Sequence, residues 1–216
     1  MRLGALFAVT LFATAASAQT RGTLSTSLGG NHWSIYSGET ISPGRDAVAF
    51  DLGWPGVTFG YLHGINDRTD VRLNVELLYG YEGTDISRFG FGLGAPLRLV
   101  LNRTDKLTLG VHVDPGFRIY TGSGSTQFLM RFPVGGTVAI HVTPELDVSV
   151  GADIPFAIQF TSPTAFLAGP MFGFALEYKV DRQLNVGLHT RFGPLFASSG
   201  GGVFAFETLL GVGYRL

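Results

Sequence analysis

The sequence predicts an all-β protein: a closed, antiparallel, up-and-down transmembrane β-barrel of about ten strands, with eight as the alternative count. Three observations support this prediction. Most of the chain alternates apolar and polar residues with a period of two, as strands with one apolar face do. Only 14% of the residues are charged, against about 25% in a typical soluble domain. Charged turn sequences and Gly/Ser-rich turn sequences alternate between the strands, as expected for the two rims of a meander.

The N-terminus has the layout of an export signal. Arg2 gives a positive start, residues 3–13 are apolar, and the small residues that follow end in an Ala-x-Ala cleavage pattern at Ala18. We therefore predict a signal peptide at residues 1–18, cleaved after Ala18, and a single barrel domain at residues 19–216.

The alternation divides the rest of the chain into strands. The predicted strands are 21–33, 47–65, 71–82, 88–101, 107–121, 127–142, 146–160, 166–180, 184–196 and 203–216. Residues 34–46 are expected to form the longest loop. Within 47–65 the apolar parity changes at Trp54, and we expect a β-bulge there, because one extra residue resets the alternation within a strand.

The composition of the two strand faces indicates which face is outside. In strand 88–101 the face opposite the apolar residues carries Gly90, Gly92 and Gly94, and water-facing strands rarely have so many glycines and so few charges. An apolar face turned toward lipid explains both features, and it requires a closed sheet, because lipid cannot hydrogen-bond to a strand edge. Aromatic residues are concentrated near the Gly/Ser-rich turns, which is typical of an interfacial girdle.

A family resemblance rests on three features: the signal peptide, the charged turns and the C-terminus. The turns contain Asp-Arg pairs, at Asp67-Arg68 and Asp181-Arg182. The last strand ends with apolar residues at alternate positions and Tyr214 third from the end. In this pattern the chain resembles the small bacterial outer-membrane β-barrel proteins, a group that includes the transmembrane domain of outer-membrane protein A and porin-like small barrels.

The resemblance implies a Gram-negative outer-membrane location in the cell envelope, with outer-membrane lipid and lipopolysaccharide as surroundings. It also implies recognition of the C-terminal strand by the barrel-assembly machinery. The last residue is Leu216 where the family usually has Phe, so weaker recognition is expected. Strand order then places the charged turns in the periplasm and the Gly/Ser-rich turns outside the cell. The resemblance leaves the oligomeric state open.

In each strand, the positions that alternate with the apolar ones are predicted to face inward, and we call this the inward parity. It assigns a set of charged and polar residues to the interior of the barrel. The predicted lumen-lining residues are Arg72, Glu76, Arg88, Arg98, His112, Asp114, Arg118, Arg131, Asp153, Glu177, Arg191 and Glu207. A barrel of about ten strands leaves little room beyond side chains, which favours a mainly structural protein with a lumen filled by salt bridges. The alternative is a narrow pore for small solutes or ions, with a slight anion preference from Arg88, Arg118 and Arg131 at the outer mouth.

Other functions find less support in the sequence. An enzyme acting on lipid A or peptides needs an accessible cleft, and the pairs His112/Asp114 and His189/Arg191 fall in mid-strand, so no catalysis is expected. A loop-mediated adhesin could use only residues 34–46. The absence of Cys excludes disulfides and thiolate chemistry, and the net charge of −1 offers no basic surface for nucleic acid. No metal or other cofactor is expected.

Overall fold

The computed structural model describes residues 33–122, 125–160 and 164–216, and these form one antiparallel sheet of fifteen strands. The first eight strands are β1 (Asp46–Trp54), β2 (Gly56–Asn66), β3 (Thr69–Gly80), β4 (Ser87–Gly94), β5 (Leu97–Arg103), β6 (Leu107–Val113), β7 (Gly116–Gly122) and β8 (Ser125–Arg131). The other seven are β9 (Val134–His141), β10 (Leu146–Ile154), β11 (Ala157–Phe160), β12 (Ala165–Ala168), β13 (Met171–Lys179), β14 (Leu184–Ala197) and β15 (Gly202–Arg215). None of the described residues belongs to a helix long and apolar enough to cross a membrane.

The sheet closes on itself. Its strands follow the order β12-β11-β8-β7-β4-β3-β2-β1-β15-β14-β13-β10-β9-β6-β5, and the further pairs β3–β5 and β12–β14 join strands that are distant in this order. β1 pairs with β15, so the first and last described strands are neighbours, and the Leu216 N–H donates to the Asp46 carbonyl at 2.9 Å. The predicted signal peptide and most of the predicted strand 21–33 lie outside the described residues, and Trp33, the last residue of that range, is not in a strand.

The strand number is fifteen, where the sequence predicted about ten. Five predicted strands are each interrupted by a proline, which has no N–H to donate to the ladder. The interruptions fall at Pro96, Pro115, Pro133, Pro155 and Pro170. Hydrogen bonding continues beside several of them, for example from the Ala95 N–H to the Pro115 carbonyl at 2.8 Å and from the Asp114 N–H to the Pro133 carbonyl at 2.9 Å.

The prediction of one bulged strand at 47–65 is wrong. β1 and β2 are two strands of a hairpin that turns at Trp54 and Pro55, whose peptide bond is cis. Phe50 pairs with Phe59, an even position opposite an odd one, and paired residues of a hairpin face the same side. The change of apolar parity therefore comes from the reversal of the chain.

The two faces of the closed sheet differ in chemistry. Large apolar side chains at alternate positions are exposed on the outer face, among them Phe59 (53% exposed), Leu73 (57%) and Phe204 (64%). The enclosed face carries glycine, alanine and ion-paired side chains such as Glu76 and Arg118. Any site among the described residues that depends on buried charged side chains therefore lies in the enclosed space.

Candidate functional site

The chain before β1 fills one end of the enclosed space. We call residues 33–42 the inner segment, and its buried residues are Trp33, Ser34, Ile35, Ser37, Glu39, Thr40 and Ile41. It lies at the end of the sheet that carries the charged turns, since the Thr40 hydroxyl donates to the Asp67 carbonyl. Residues 34–45 form no helix or strand, as predicted for a loop, but the inner segment is buried, so it does not give the exposed surface that an adhesin would need.

Glu177 on β13 anchors the inner segment. Its carboxylate accepts hydrogen bonds from the Ser34 hydroxyl at 2.7 Å and from the backbone N–H groups of Ile35, Tyr36 and Ser37 at 2.9, 3.1 and 3.2 Å. Successive N–H groups that point at one anion form a concave binding site for it. The backbone of the inner segment thus curves around the Glu177 carboxylate of β13.

Further polar groups of the wall reach the inner segment from several strands. The contacts are Asp51 with the Tyr36 hydroxyl, Asp70 with the Ile41 N–H at 2.9 Å, Arg98 with the Ser34 carbonyl at 2.9 Å and Asn185 with the Trp33 carbonyl at 2.9 Å. The Tyr36 ring also stacks on His189, with ring centroids 5.3 Å apart. The segment is therefore held along its whole length.

Glu39 joins the inner segment to the rim. Its carboxylate pairs with Arg103 at 2.6 Å and with His141 at 3.3 Å, and it accepts the Thr108 hydroxyl. Burial opposes the charge, but the hydrogen bond to His141, the charge of Arg103 and the Thr108 hydroxyl outweigh it and hold the pKa of Glu39 below its usual value. Glu39 is thus held as a carboxylate.

A buried ionic layer crosses the middle of the enclosed space. Arg118 pairs with Glu76 at 2.6 Å and with Glu82 at 2.9 Å, and Arg131 pairs with Glu82 at 3.3 Å. Arg191 pairs with two further carboxylates, Glu207 at 2.6 Å and Asp153 at 3.2 Å. Arg118 and Arg131, two of the three arginines expected to attract anions at the outer mouth, are thus neutralised, which weakens the case for an anion preference.

Glu82 lies in the turn between β3 and β4 with a left-handed backbone (φ 47°), which is uncommon for a residue with a side chain. Its carboxylate also accepts the Tyr120 hydroxyl at 2.7 Å. Burial opposes ionisation, but the charges of Arg118 and Arg131 outweigh it and lower the pKa of Glu82. The ion pairs thus hold an unfavourable turn folded inward.

Apolar side chains fill the enclosed space toward the Gly/Ser-rich turns. One cluster contains Leu78, Tyr120, Leu129 and Ala157, and another contains Met171, Leu195 and Ala205. The enclosed space is therefore occupied by three successive layers: the inner segment, the ionic layer and these apolar clusters.

A cavity of about 240 Å³ remains between the inner segment and the ionic layer. Ten of the twelve predicted lumen residues line it: Arg72, Glu76, Arg98, His112, Asp114, Arg118, Arg131, Asp153, Arg191 and Glu207. Of the other two, Glu177 lies against the inner segment, and the Arg88 guanidinium lies over the Tyr81 ring, 5.5 Å from its centre.

The sequence reasoning missed several functional side chains. Asp51 follows the inward parity of its strand and could have been found by it, whereas Asp70 falls in a predicted turn. Glu39 lies outside the predicted strands, where no periodicity shows direction. Glu82 is the last residue of the predicted strand 71–82 and has its inward parity, but the observed strand β3 ends at Gly80. Asn74 has inward parity but carries no charge.

Within the described ranges, no group of three His, Asp or Glu side chains is arranged to hold a metal ion.

Comparison with known proteins adds little to the geometry. No protein-family model and no curated protein matches the chain. A solved structure described as OmpT (in-vitro folded), an outer membrane protein of Vibrio cholerae, is similar over 80% of this chain and 96% of its own, with 11% identity and a TM-score of 0.24. At that TM-score the similarity supports no argument about this chain.

Proposed function

We propose that the protein is an integral outer-membrane β-barrel with a mainly structural role and a filled interior. The observation that carries the proposal is the outer face of the closed sheet. Its exposed apolar residues include Leu77, Phe91, Leu176 and Leu210 on different strands, at 38–54% exposure. A soluble protein rarely exposes so continuous an apolar surface, whereas a membrane barrel requires one.

Sheet closure supports the same proposal. Lipid offers no hydrogen-bonding partner to an open edge, and the pairs β1–β15, β3–β5 and β12–β14 join edges that would otherwise be open. An ionic interior beneath an apolar exterior is the distribution expected in a bilayer and the inverse of that in a water-soluble barrel.

The filled interior favours a structural role over a pore. The inner segment, the ionic layer and the apolar clusters all lie across the axis that a solute would follow. A narrow pore remains the alternative, and it would require these layers to move.

The outer-membrane location and its partners belong to the proposal as well. Export through the signal peptide at residues 1–18 would deliver the chain to the cell envelope, where lipid and lipopolysaccharide would surround it. The barrel-assembly machinery would recognise β15, whose outward residues Val212 and Tyr214 are exposed. We assign no catalysis to the chain. Mass spectrometry of lipid A with and without the protein, together with a peptidase assay, tests that part.

Two measurements test the main proposal. The full chain should fractionate with outer membranes and should need detergent to stay monodisperse, and a stable monomer in plain buffer would contradict membrane insertion. In planar bilayers at neutral pH the purified protein should give flat current traces. Resolved conductance steps would contradict the filled interior while leaving the membrane location intact.

A further inference from the structure

The wall of the closed sheet has a notch above the β1–β2 hairpin. β1 ends at Trp54, which pairs with Thr208, whereas β15 extends beyond this pair to Gly202. Among the described residues, no strand lies beside that extension on the side of β1. The tip of the hairpin borders the central cavity, because Pro55 and Gly56 line it. The notch therefore lies between β3 and β15, close to the cavity.

The turn between β3 and β4 covers the notch, and we call residues 81–86 the covering turn. In the described part of the chain, one backbone hydrogen bond joins it to β15, from the Phe206 N–H to the Gly83 carbonyl at 2.7 Å. Gly83 has a left-handed backbone (φ 72°), and a Cβ there would lie 2.8 Å from the Glu207 Cγ. The covering turn thus closes the wall with a single main-chain bond, where a paired strand would form a ladder.

The covering turn places two neighbouring side chains of different chemistry in the interior. The Glu82 carboxylate pairs with Arg118 at 2.9 Å and with Arg131 at 3.3 Å. The Tyr81 ring packs against the Tyr120 ring, with centroids 4.8 Å apart, beside the apolar cluster of that region. A carboxylate next to an apolar group has the chemistry of an amphiphile with an acidic headgroup.

We propose that the covering turn opens through the notch as a lid, and that the site it vacates binds a single-chain amphiphile with a carboxylate headgroup. The headgroup takes the place of the Glu82 carboxylate beside Arg118 and Arg131, and the alkyl chain takes the place of the Tyr81 ring. One carboxylate leaves the two guanidinium groups and another replaces it, so the exchange leaves no unpaired charge buried.

Aromatic side chains around the notch indicate the side from which the ligand enters. Phe206 on β15 is 41% exposed, and the Trp54 ring at the hairpin tip lies 5.7 Å from the Tyr79 ring. Aromatic residues of this kind are typical of a membrane interface, so the alkyl chain enters from the lipid of the outer leaflet. This route rests on the membrane location proposed above. The exchange at the two arginines does not, and it is tested in detergent.

Decanoate is the probe for this site. The purified protein in a neutral maltoside detergent is titrated with decanoate labelled with ¹³C at the carboxyl carbon, and binding is followed by NMR. We expect a saturable resonance that is distinct from that of the micelles. The bound carboxyl should stay ionised to lower pH than the micellar one, because two guanidinium groups favour its charged form. Decanol, which has the same chain and no charge, should not compete.

Two variants of the covering turn separate exchange from unspecific partitioning. Glu82→Gln should bind decanoate about tenfold more tightly than the wild type, because the ligand no longer competes with an internal carboxylate. Decanoate should also raise the urea midpoint of this variant in vesicles, and decanol should not. Asp85→Asn is the matched control, since it removes an exposed charge from the same turn and should leave the affinity unchanged.

Two results would overturn the proposal. One is the absence of saturable decanoate binding to Glu82→Gln, and the other is equal affinity in Glu82→Gln and the wild type. Neither result bears on the membrane location, which fractionation tests separately.

Discussion

The anchor of the inner segment allows a quantitative prediction for Glu177→Gln. The substitution keeps the shape of the side chain and removes its charge. Asn185 on the wall also donates to Glu177, at 2.9 Å, and this contact does not depend on the inner segment. Of the inner-segment groups that donate to Glu177, the N–H groups of Tyr36 and Ser37 can still reach the Ser34 hydroxyl oxygen. The Ile35 N–H and the Ser34 hydroxyl have no second acceptor among the described residues, so these two donors set the cost.

A hydrogen bond to a charged group contributes about 1.5–3 kcal/mol. The Gln oxygen can replace one of the two bonds with a neutral one, so the net loss is about 3 kcal/mol. That energy corresponds to a rise of roughly two orders of magnitude in the population of the released segment. The closed sheet itself should stay folded, because the substitution leaves its strand pairing untouched.

Chymotrypsin reports the released population, because its preferred sites Trp33 and Tyr36 are sheltered in the folded segment. When opening and closing are fast, the rate of cleavage follows that population. We expect cleavage of Glu177→Gln to be about 100-fold faster than that of the wild type. The matched control is Glu76→Gln, which removes a buried carboxylate that does not contact the segment. A rate within about threefold of the wild type for Glu177→Gln would refute the anchoring role.

Three further predictions follow from the layers and the outer face. The lowered pKa of Glu39 means that its stabilising charge is fully present above its unfolded pKa of about 4.3 and is lost as the pH falls through the folded value. Acid should therefore expose Trp33 to acrylamide quenching in a Trp54→Phe background, and Glu39→Gln should abolish part of that pH dependence. Leu188→Arg on the lipid face should cost about 2–4 kcal/mol of unfolding free energy in vesicles, measured with urea, and a cost as small as that of a turn substitution would contradict lipid contact. Glu82→Gln should cost about 3 kcal/mol in the same assay, because Arg118 and Arg131 would share one remaining carboxylate, and an unchanged midpoint would contradict that coupling.

The alternation of residues predicted which side chains are enclosed, and the structure explains why this worked. In strand 71–82 the outward residues Leu73 and Leu77 are exposed, while Arg72 and Glu76 are buried. A one-residue shift would exchange the two faces, so such a strand fixes its orientation strongly. The sequence alone therefore located most of the ionic layer.

The features that the sequence did not predict depend on contacts that the alternation of residues does not show. The inner segment is held by Glu177, which lies 140 or more residues away along the chain and contacts the segment only in the folded protein. The prolines that divide the strands were visible in the sequence, but a ladder interrupted by proline and a continuous strand alternate in the same way. At Trp54 a bulge and a hairpin both change the parity, and only the pairing of Phe50 with Phe59 separates the two explanations.

Glycines at strand positions that face the enclosed space mark where the interior is filled by something other than wall side chains. A Cβ on Gly187 would lie 2.9 Å from the Tyr36 ring, and one on Gly213 would lie 2.7 Å from the Ile35 side chain. These positions on β14 and β15 are reserved for the inner segment, because any side chain there would displace it.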